Sequence, residues 1–290
     1  MKRKTKWILF IVIVAGAIAW GVDALKTSLL PAVGLLEVDG VIAESLPYLE
    51  AIKQFEDDKG IKAVVVRLDS PGGKVGPSQE IYSALLRLKK TKPVVASLGS
   101  IGASGAYYIA CSANTIYALS GTMTGSIGVI AEFFDASEGL KKLGIKPNNI
   151  TAGTLKDAGS PFKSMTGTER AYFQALLQDV HEQFIEAVSE SRKLKLETVR
   201  ALADGRVFTG RQAKEAHLID KLGGLDDAVD EAKKKAGISG EARIIKPDVS
   251  GGIWASIRKL IGIYMPNPLQ YDPSQALGAG RYIRLEYSMQ

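Results

Sequence analysis

Short apolar runs alternate with longer stretches of helical periodicity in the first half of the chain. The apolar runs are rich in Val, Ile and Leu, as strands buried on both faces of a sheet usually are. They cover residues 33–39, 63–69, 94–98 and 116–119. The stretches with helical spacing lie between and after them, at about 46–57, 78–90 and 104–112. Because buried strands that alternate with helices build parallel sheets, this pattern predicts an α/β fold.

From Gly167 onward the pattern is helical. The longest amphipathic stretch covers residues 168–193, and shorter ones follow at 197–203, 210–217 and 225–235. Residues 249–290 are punctuated by Gly and Pro, and a short basic amphipathic stretch at 254–264 either packs on the domain or touches lipid or a second copy. We therefore divide the chain into residues 1–26, one domain at 27–248 and a C-terminal tail at 249–290 without an assigned role.

The chain begins with a basic tip and an apolar run. Lys2, Arg3, Lys4 and Lys6 precede residues 7–25, which carry Asp23 as their one charge. As a helix these 19 residues span about 28 Å, close to the hydrocarbon thickness of a bilayer. The cations predict a single-pass anchor in the cytoplasmic membrane, with the N-terminus inside and the domain outside. Small residues at 15–19 leave a cleaved signal peptide as the alternative, and it also exports the domain.

Composition excludes several classes of protein. Of 290 residues, 46% are hydrophobic and 23% are charged, which fits a globular domain and not a disordered chain. The net charge of +6 includes the four cations of the basic tip, so it gives no support for a nucleic-acid partner. One cysteine and two histidines exclude an intrachain disulfide framework and Cys/His zinc sites.

Two glycine-rich segments follow predicted strands, where parallel sheets carry their functional loops. They are Ser70-Pro71-Gly72-Gly73 and residues 99–105, and the second holds Ser104 at the start of a predicted helix. Neither matches a phosphate-binding P-loop, a dinucleotide fingerprint or Gly-x-Ser-x-Gly. A lysine can deprotonate a serine hydroxyl when desolvation lowers the pKa of the lysine, and glycine N–H groups can hold an oxyanion. The residues alone thus leave two interpretations: acyl transfer by a serine nucleophile, or a helix-capping serine and a plain glycine turn without a catalytic role.

Five sequence blocks resemble the signal peptide peptidase A family, in the same order. They are Leu-Asp-Ser-Pro-Gly-Gly at 68–73, Ala-Ser-Gly-Ala-Tyr-Tyr-Ile-Ala at 103–110, Thr-Gly-Ser-Ile-Gly-Val at 124–129, Gly-Thr-Leu-Lys-Asp-Ala-Gly-Ser-Pro-Phe at 153–162 and Asp-Gly-Arg-Val-Phe-Thr-Gly-Arg-Gln-Ala at 204–213. The similarity spans about residues 33–232. It implies a ClpP/crotonase-like α/β domain behind an N-terminal transmembrane helix, in the short form with one copy of the domain.

The resemblance implies a role for five residues. Ser104 is the expected nucleophile, Lys156 its general base and Ser126 the serine that orients the lysine. The N–H groups of Gly73 and Gly105 are expected to form the oxyanion hole. The family further implies a serine endopeptidase that degrades signal peptides or other apolar segments left in the membrane. The resemblance also implies a ring-like homo-oligomer with sites where protomers meet. It implies neither a cofactor nor a metal.

Two positions depart from the family pattern. Ala106 stands where a second glycine usually follows the serine, and its methyl group is expected to narrow the site or shift it slightly. His217 stands where Gly or Asn is usual, and we expect no consequence. Three alternatives remain: a related membrane peptidase acting on other membrane or secreted proteins, a crotonase-like acyl-CoA enzyme, and a non-catalytic scaffold that binds peptides. The acyl-CoA enzyme has no use for the serine–lysine pair or for an exported domain.

Overall fold

The structure is a computed structural model that describes residues 30–247 and the backbone of Leu285–Ser288. The strands are β1 (Ala32–Asp39), β2 (Ile61–Ser70), β3 (Gly72–Lys74), β4 (Val94–Ala103), β5 (Thr115–Ala118), β6 (Met123–Gly125), β7 (Ile130–Ala131), β8 (Val207–Thr209), β9 (Lys221–Leu222), β10 (Arg243–Ile245) and β11 (Leu285–Ser288). The helices are α1 (Leu46–Asp57), α2 (Val75–Leu88), α3 (Gly105–Ala110), α4 (Ser137–Lys142), α5 (Gly167–Arg192), α6 (Leu196–Leu202), α7 (Gly210–Glu215) and α8 (Leu225–Lys235).

A parallel sheet forms the centre of the domain. Its strand order is β10-β1-β2-β4-β5-β9, and each neighbouring pair runs parallel. β6 continues the sheet beside the C-terminal end of β4, and β8 pairs antiparallel with β6. The predicted α/β fold is therefore confirmed, whereas the short strands β8, β9 and β10 interrupt a region whose pattern predicted only helices.

Both faces of the sheet are covered, which explains the continuous apolar runs of its strands. Successive side chains of a strand point to opposite faces. In β2, Val64, Val66 and Leu68 join the larger core with α1, α2, α3 and the C-terminal half of α5. Ala63 and Val65 face the other side, where they pack with residues of α8.

Residues 99–103 of the second glycine-rich segment belong to β4. The prediction of a loop at 99–105 is therefore wrong for these residues. Strands flank this segment on both sides, since Gly102 pairs with Ser70 of β2 and with Thr124 of β6. The Thr124 hydroxyl also donates a 2.7 Å hydrogen bond to the Gly102 carbonyl. Pairing with two neighbours compensates for the low strand propensity of glycine, and it carries β4 directly to Ser104.

A second, three-stranded sheet lies beside the end of β2. Its order is β3-β11-β7, and β11 runs antiparallel to both neighbours. Ile42 bridges to the other edge of β3. The extreme C-terminal part of the chain thus supplies the middle strand of this small sheet.

Residues 132–166, which we call the arm, connect β7 to α5. No residue of the arm belongs to either core cluster, and Ser160 is its one buried residue. The arm packs on the N-terminal part of α5, where the rings of Phe133 and Phe173 are 4.5 Å apart. α5 has 26 residues, about 39 Å of helix, and its other half from Val180 to Val188 is anchored in the larger core.

Within residues 30–247 no helix is long and apolar enough to cross a membrane. The predicted anchor at residues 7–25 and most of the tail at 249–290 lie outside the described residues.

Candidate active site

Ser104 occupies the turn between β4 and α3 in a strained backbone conformation. Its φ is 54° and its ψ is −119°. Such a conformation costs on the order of 1–3 kcal/mol in a residue other than glycine and persists only where its surroundings enforce it. Here the Ser104 N–H donates to the Gly125 carbonyl and the Ser104 carbonyl accepts from the Tyr108 N–H, both at 2.8 Å.

The Ser104 hydroxyl is buried and unsatisfied. The residue is 1% exposed, and its Oγ has no hydrogen-bond partner among the described residues. A buried polar group without a partner costs roughly 1–3 kcal/mol. Strain and an unpaired hydroxyl at one residue indicate a functional constraint, because neither contributes to stability.

Buried aromatic side chains fix α3 behind this serine. The Tyr107 hydroxyl donates a 2.7 Å hydrogen bond to the Leu218 carbonyl, and burial raises the pKa of this phenol. The Tyr108 ring packs edge-on against Tyr82 and Phe184, with centroids 4.7 and 5.0 Å away. Ala106 is fully buried within the larger core, and the narrowing or shift expected from its methyl group stays a prediction.

Ser126 lies close to Ser104, because the Ser104 N–H is hydrogen-bonded to the residue directly before Ser126. Gly125 accepts the hydrogen bond from the Ser104 N–H, and the next N–H, that of Ser126, donates to the Arg206 carbonyl at 2.9 Å. Ser126 is buried and has a φ of 49°. The Asp204 carboxylate holds Arg206 through its backbone N–H at 3.1 Å and its guanidinium Nε at 2.7 Å. The 204–213 block thus supports Ser126, a role that its sequence alone did not reveal.

Gly73 is required by a close backbone approach. A Cβ at this position would lie 2.6 Å from the Ile42 nitrogen and closer still to its carbonyl oxygen, which no side chain tolerates. Ile42 donates its N–H to the Gly72 carbonyl at 2.9 Å and accepts from the Lys74 N–H at 2.8 Å. The backbone N–H and C=O groups of successive residues in a strand point to opposite edges. The N–H of Gly73 therefore points away from Ile42, to the edge of β3 where β11 lies.

Lys156 is exposed and lies in consecutive tight turns of the arm. Its N–H donates to the Gly153 carbonyl, and the Ala158 N–H donates to the Leu155 carbonyl, both at 3.1 Å. Because the Ser104 Oγ has no partner among the described residues, these two predicted site residues are not hydrogen-bonded within one chain. The structure therefore places Ser104 and Gly105 at the turn between β4 and α3, brings Ser126 close to this turn through the Gly125 carbonyl, and leaves Lys156 on the arm.

The cysteine of the chain does not compete with Ser104 as a nucleophile. Cys111 is fully buried, and burial raises the pKa of its thiol to about 11, so it stays protonated and inert. Among residues 30–247, no cluster of His, Cys, Asp and Glu side chains has the arrangement of a metal site.

A buried serine at a strand–helix turn, directly followed by the N–H of a glycine, suits nucleophilic attack on a carbonyl. As the first residue of α3, Gly105 has an N–H without a partner inside the helix. The sequence model of peptidase family S49 matches residues 87–239, more than half of the chain. The chain belongs to peptidase family S49. The predicted resemblance to signal peptide peptidase A is confirmed at the level of this family.

Relatives of this S49 peptidase carry matching names. Protein slr0021 of Synechocystis, named as a candidate protease, is 43% identical over 215 residues, which are 73% of this chain and 77% of that protein. A candidate signal peptide peptidase SppA of Enterococcus faecium is 33% identical over 74% of this chain and 67% of its own. The chloroplastic serine protease SPPA of Arabidopsis thaliana is 33% identical over 75% of this chain and 33% of its own.

Proposed function

We propose that this S49 peptidase is a membrane-anchored serine endopeptidase that degrades leftover signal peptides with Ser104 as nucleophile and Lys156 as general base. The observation that carries the proposal is the buried, unpaired hydroxyl of Ser104, which stands on a strained backbone directly before Gly105. Relatives named as serine protease and signal peptide peptidase support both the chemistry and the class of substrate.

In the proposed reaction, the neutral Lys156 amine takes the proton of the Ser104 hydroxyl while Oγ attacks the peptide carbonyl carbon. The carbonyl oxygen becomes an oxyanion that accepts from the N–H groups of Gly73 and Gly105. Lys156 then passes its proton to the leaving amine as the peptide bond breaks. Water repeats the attack on the acyl-enzyme, again losing its proton to Lys156, and Ser104 is restored.

The edge of β3 supports binding of the peptide in an extended form. Along this edge, β11 already pairs antiparallel, with Tyr287 opposite Gly73 and with β7 on its other side. Addition of a strand to a sheet edge is a recurring mode of peptide binding. A peptide in this place presents a backbone carbonyl to the Gly73 N–H, which is where an oxyanion has to form.

Lys156 is proposed to act on Ser104 of a neighbouring copy in the ring. Two observations support this arrangement: the Ser104 Oγ has no partner within the described chain, and Lys156 is exposed on an arm outside both cores. The arm exposes large apolar side chains, with Phe134 84% and Ile150 96% exposed. Exposed apolar surface of this kind marks contact sites, and cover by a second copy would also favour the neutral amine that a base needs.

Residues 7–25 are proposed to anchor the domain outside the cytoplasmic membrane, in reach of the apolar segments that it cleaves. Protease added to intact spheroplasts should then digest the domain. Full protection while the membrane stays sealed would overturn this location.

Labelling with a serine-reactive fluorophosphonate tests the nucleophile. The wild-type chain is expected to be labelled and to hydrolyse apolar peptides, whereas Ser104→Ala and Lys156→Ala are each expected to lose both properties. Lys156→Arg should fail as well, because a guanidinium stays protonated. A folded chain that binds apolar peptides without labelling would instead be the peptide-binding scaffold, and cleavage of intact membrane proteins alone would indicate the related membrane peptidase.

Mixing two inactive variants tests the neighbouring-copy arrangement. When Ser104→Ala and Lys156→Ala chains are dissociated and reassembled together, some sites combine an intact serine with an intact lysine from the next copy. Activity should therefore return on mixing. Separate variants that stay inactive after co-assembly would place both residues in the same chain.

A further inference from the structure

A charged cluster ties the turn that carries Lys156 to the first turn of α5. The Lys163 ammonium group lies 3.0 Å from an Asp157 carboxylate oxygen and 2.6 Å from a Glu169 carboxylate oxygen. Asp157 directly follows Lys156 in the chain. The cluster thus reaches from the residue beside the proposed base to a helix that is anchored in the core.

Glu169 fixes the helix end of this connection. It is 3% exposed although it is charged, and its second carboxylate oxygen accepts from the Thr166 N–H at 2.9 Å. The Thr166 hydroxyl in turn accepts from the Glu169 N–H at 3.2 Å, which completes a capping box at the start of α5. Bonded in this way, the carboxylate has little freedom to move.

The turn at the other end is not part of any helix or strand. Its backbone bonds are local, since the Ser160 N–H donates to the Asp157 carbonyl at 3.1 Å. Gly159 has a φ of 74° and packs so closely on the Phe133 ring that a Cβ there would lie 2.6 Å from a ring carbon. These contacts shape the turn, and the Lys163 cluster supplies its charged connection to Glu169 of α5.

The two lysines of this segment have opposite environments. Hydrogen bonds to Glu169 and Asp157 raise the pKa of Lys163, so this ammonium group keeps its proton and is unsuited to act as a base. The Lys163 hydrogen bond, with that from the Thr166 N–H, lowers the pKa of Glu169, which keeps the carboxylate ionised. Lys156 is exposed on the same segment and is the lysine available for proton transfer.

We propose that Lys163 is a positioning residue, which holds the Lys156 turn against α5 by bridging Asp157 and Glu169. The inference rests on the proposed function, in which Lys156 must reach a serine on another copy. A base that is misplaced by about 1 Å can lose on the order of 100-fold in rate, so a turn without helix or strand structure needs such a connection. The same contact pairs the Asp157 carboxylate with the Lys163 ammonium group.

Lys163→Met tests the proposal in the full-length oligomer. The turnover number for a fluorogenic apolar peptide is expected to fall roughly 10- to 100-fold, with KM unchanged because the cluster does not touch the peptide-binding edge. The rise of activity with pH is expected to move to higher pH, because a freed Asp157 carboxylate favours the charged form of the adjacent amine. Asp157→Asn combined with Lys163→Met should remove the pH displacement and keep the lower turnover.

Lys163→Arg is the conservative variant, and it should restore most of the turnover because a guanidinium can bridge two carboxylates. Lys53→Met is the matched control: Lys53 also pairs with two carboxylates, those of Asp57 at 2.9 Å and Glu56 at 3.4 Å, but on the solvent-exposed side of α1. Its kinetics should stay within twofold of wild type.

Unchanged turnover and pH profile in Lys163→Met would overturn the inference. So would a loss of activity that accompanies dissociation of the oligomer, shows no pH displacement and is not rescued by Lys163→Arg, because the cluster would then be structural only. If Lys156→Ala itself retains full activity, the proposed function fails. If Lys156 is essential and Lys163→Met is fully active, the positioning role alone fails.

Discussion

Two positions with a strained backbone lie at the proposed active site. Positive φ values in residues other than glycine occur within the described chain at Ser104, Ser126, Lys193 and His217, and the first two lie at the site. His217 has a φ of 57°, which explains why Gly or Asn would be usual there. The surrounding hydrogen bonds have to offset this strain, so stability at Ser104 is given up for the position of its hydroxyl.

Two substitutions separate the strain at Ser104 from its unpaired hydroxyl. Both Ser104→Ala and Ser104→Gly remove the hydroxyl, but only glycine relaxes a backbone with φ of 54°. We expect Ser104→Gly to be about 1 kcal/mol more stable than Ser104→Ala. Urea unfolding of the two variants measures the difference. An alanine variant as stable as the glycine variant would show that the turn is not strained.

A half-buried ion pair predicts how stability depends on pH. Arg192 donates to both carboxylate oxygens of Asp220 at 2.9 and 2.7 Å, and the Ile116 N–H donates to one of them at 2.7 Å. Burial works to raise the pKa of Asp220, but these bonds outweigh it and lower the pKa. A carboxyl with a depressed pKa contributes stability above its unfolded value of about 3.9, and the contribution is lost as pH falls through the folded value.

Asp220→Asn is therefore expected to cost about 2 kcal/mol of unfolding free energy at pH 7. The gap to wild type should begin to narrow as pH falls below about 4, where the carboxyl of the unfolded chain takes up a proton, and it should close as pH falls through the lower pKa of the folded chain. Urea unfolding of both proteins at several pH values measures this difference in unfolding free energy. Asp230→Asn, which alters the exposed pair with Lys233, is the control. A gap that stays constant down to about pH 3 would contradict the assignment.

At the scale of elements, periodicity predicted the long helices and the central strands closely. The structure gives α1 and α8 the predicted bounds of 46–57 and 225–235. Periodicity could not predict β3, β6, β7 or β11. A strand of two to four residues is too short to show a period, and it forms only through pairing with distant segments. The extension of β4 through its glycines has the same cause. At the site, the serine turn followed from local sequence, whereas the support of Ser126 by Arg206 depends on tertiary contacts.

The placement of β11 predicts that the tail competes with peptides. β11 occupies the edge of β3 opposite Gly73 and lies next to α2 and α3, while Ser104 is almost fully buried. Removal of residues 249–290 should therefore lower KM for a fluorogenic peptide several-fold, since an intramolecular competitor has a high effective concentration. Steady-state kinetics at varied peptide concentration measure this effect.

Tyr287→Pro separates pairing of the tail from any other role it has. Proline removes a backbone N–H and is not tolerated within a paired central strand, and β11 has neighbours on both sides. This variant keeps the full chain, and its KM should fall as in the truncated chain. Wild-type KM in both variants would show that β11 does not occupy the peptide site.

At the scale of the whole molecule, the proposed nucleophile and the proposed base lie in different parts of the structure. The domain buries Ser104 at the end of its central sheet, whereas the arm holds Lys156 outside both cores. Six large apolar side chains of the arm are exposed, namely Phe134, Leu143, Ile145, Ile150, Leu155 and Phe162. Full burial of one such side chain contributes about 1.5–3 kcal/mol, so cover of this surface by a neighbouring copy could supply much of the assembly energy.

Charged substitutions on the arm should therefore separate assembly from folding. Phe134→Asp and Ile150→Asp alter residues that are 84% and 96% exposed, so the unfolding free energy of the single chain should change by less than about 0.5 kcal/mol. Light scattering should nevertheless show smaller assemblies, and fluorophosphonate labelling of Ser104 should fall with them, because no neighbouring lysine reaches the serine. Ile244→Asp on edge strand β10, also an exposed apolar position, is the control and should keep both assembly and labelling. Dissociated Ile150→Asp chains that label at the wild-type rate would show that each chain completes its own site.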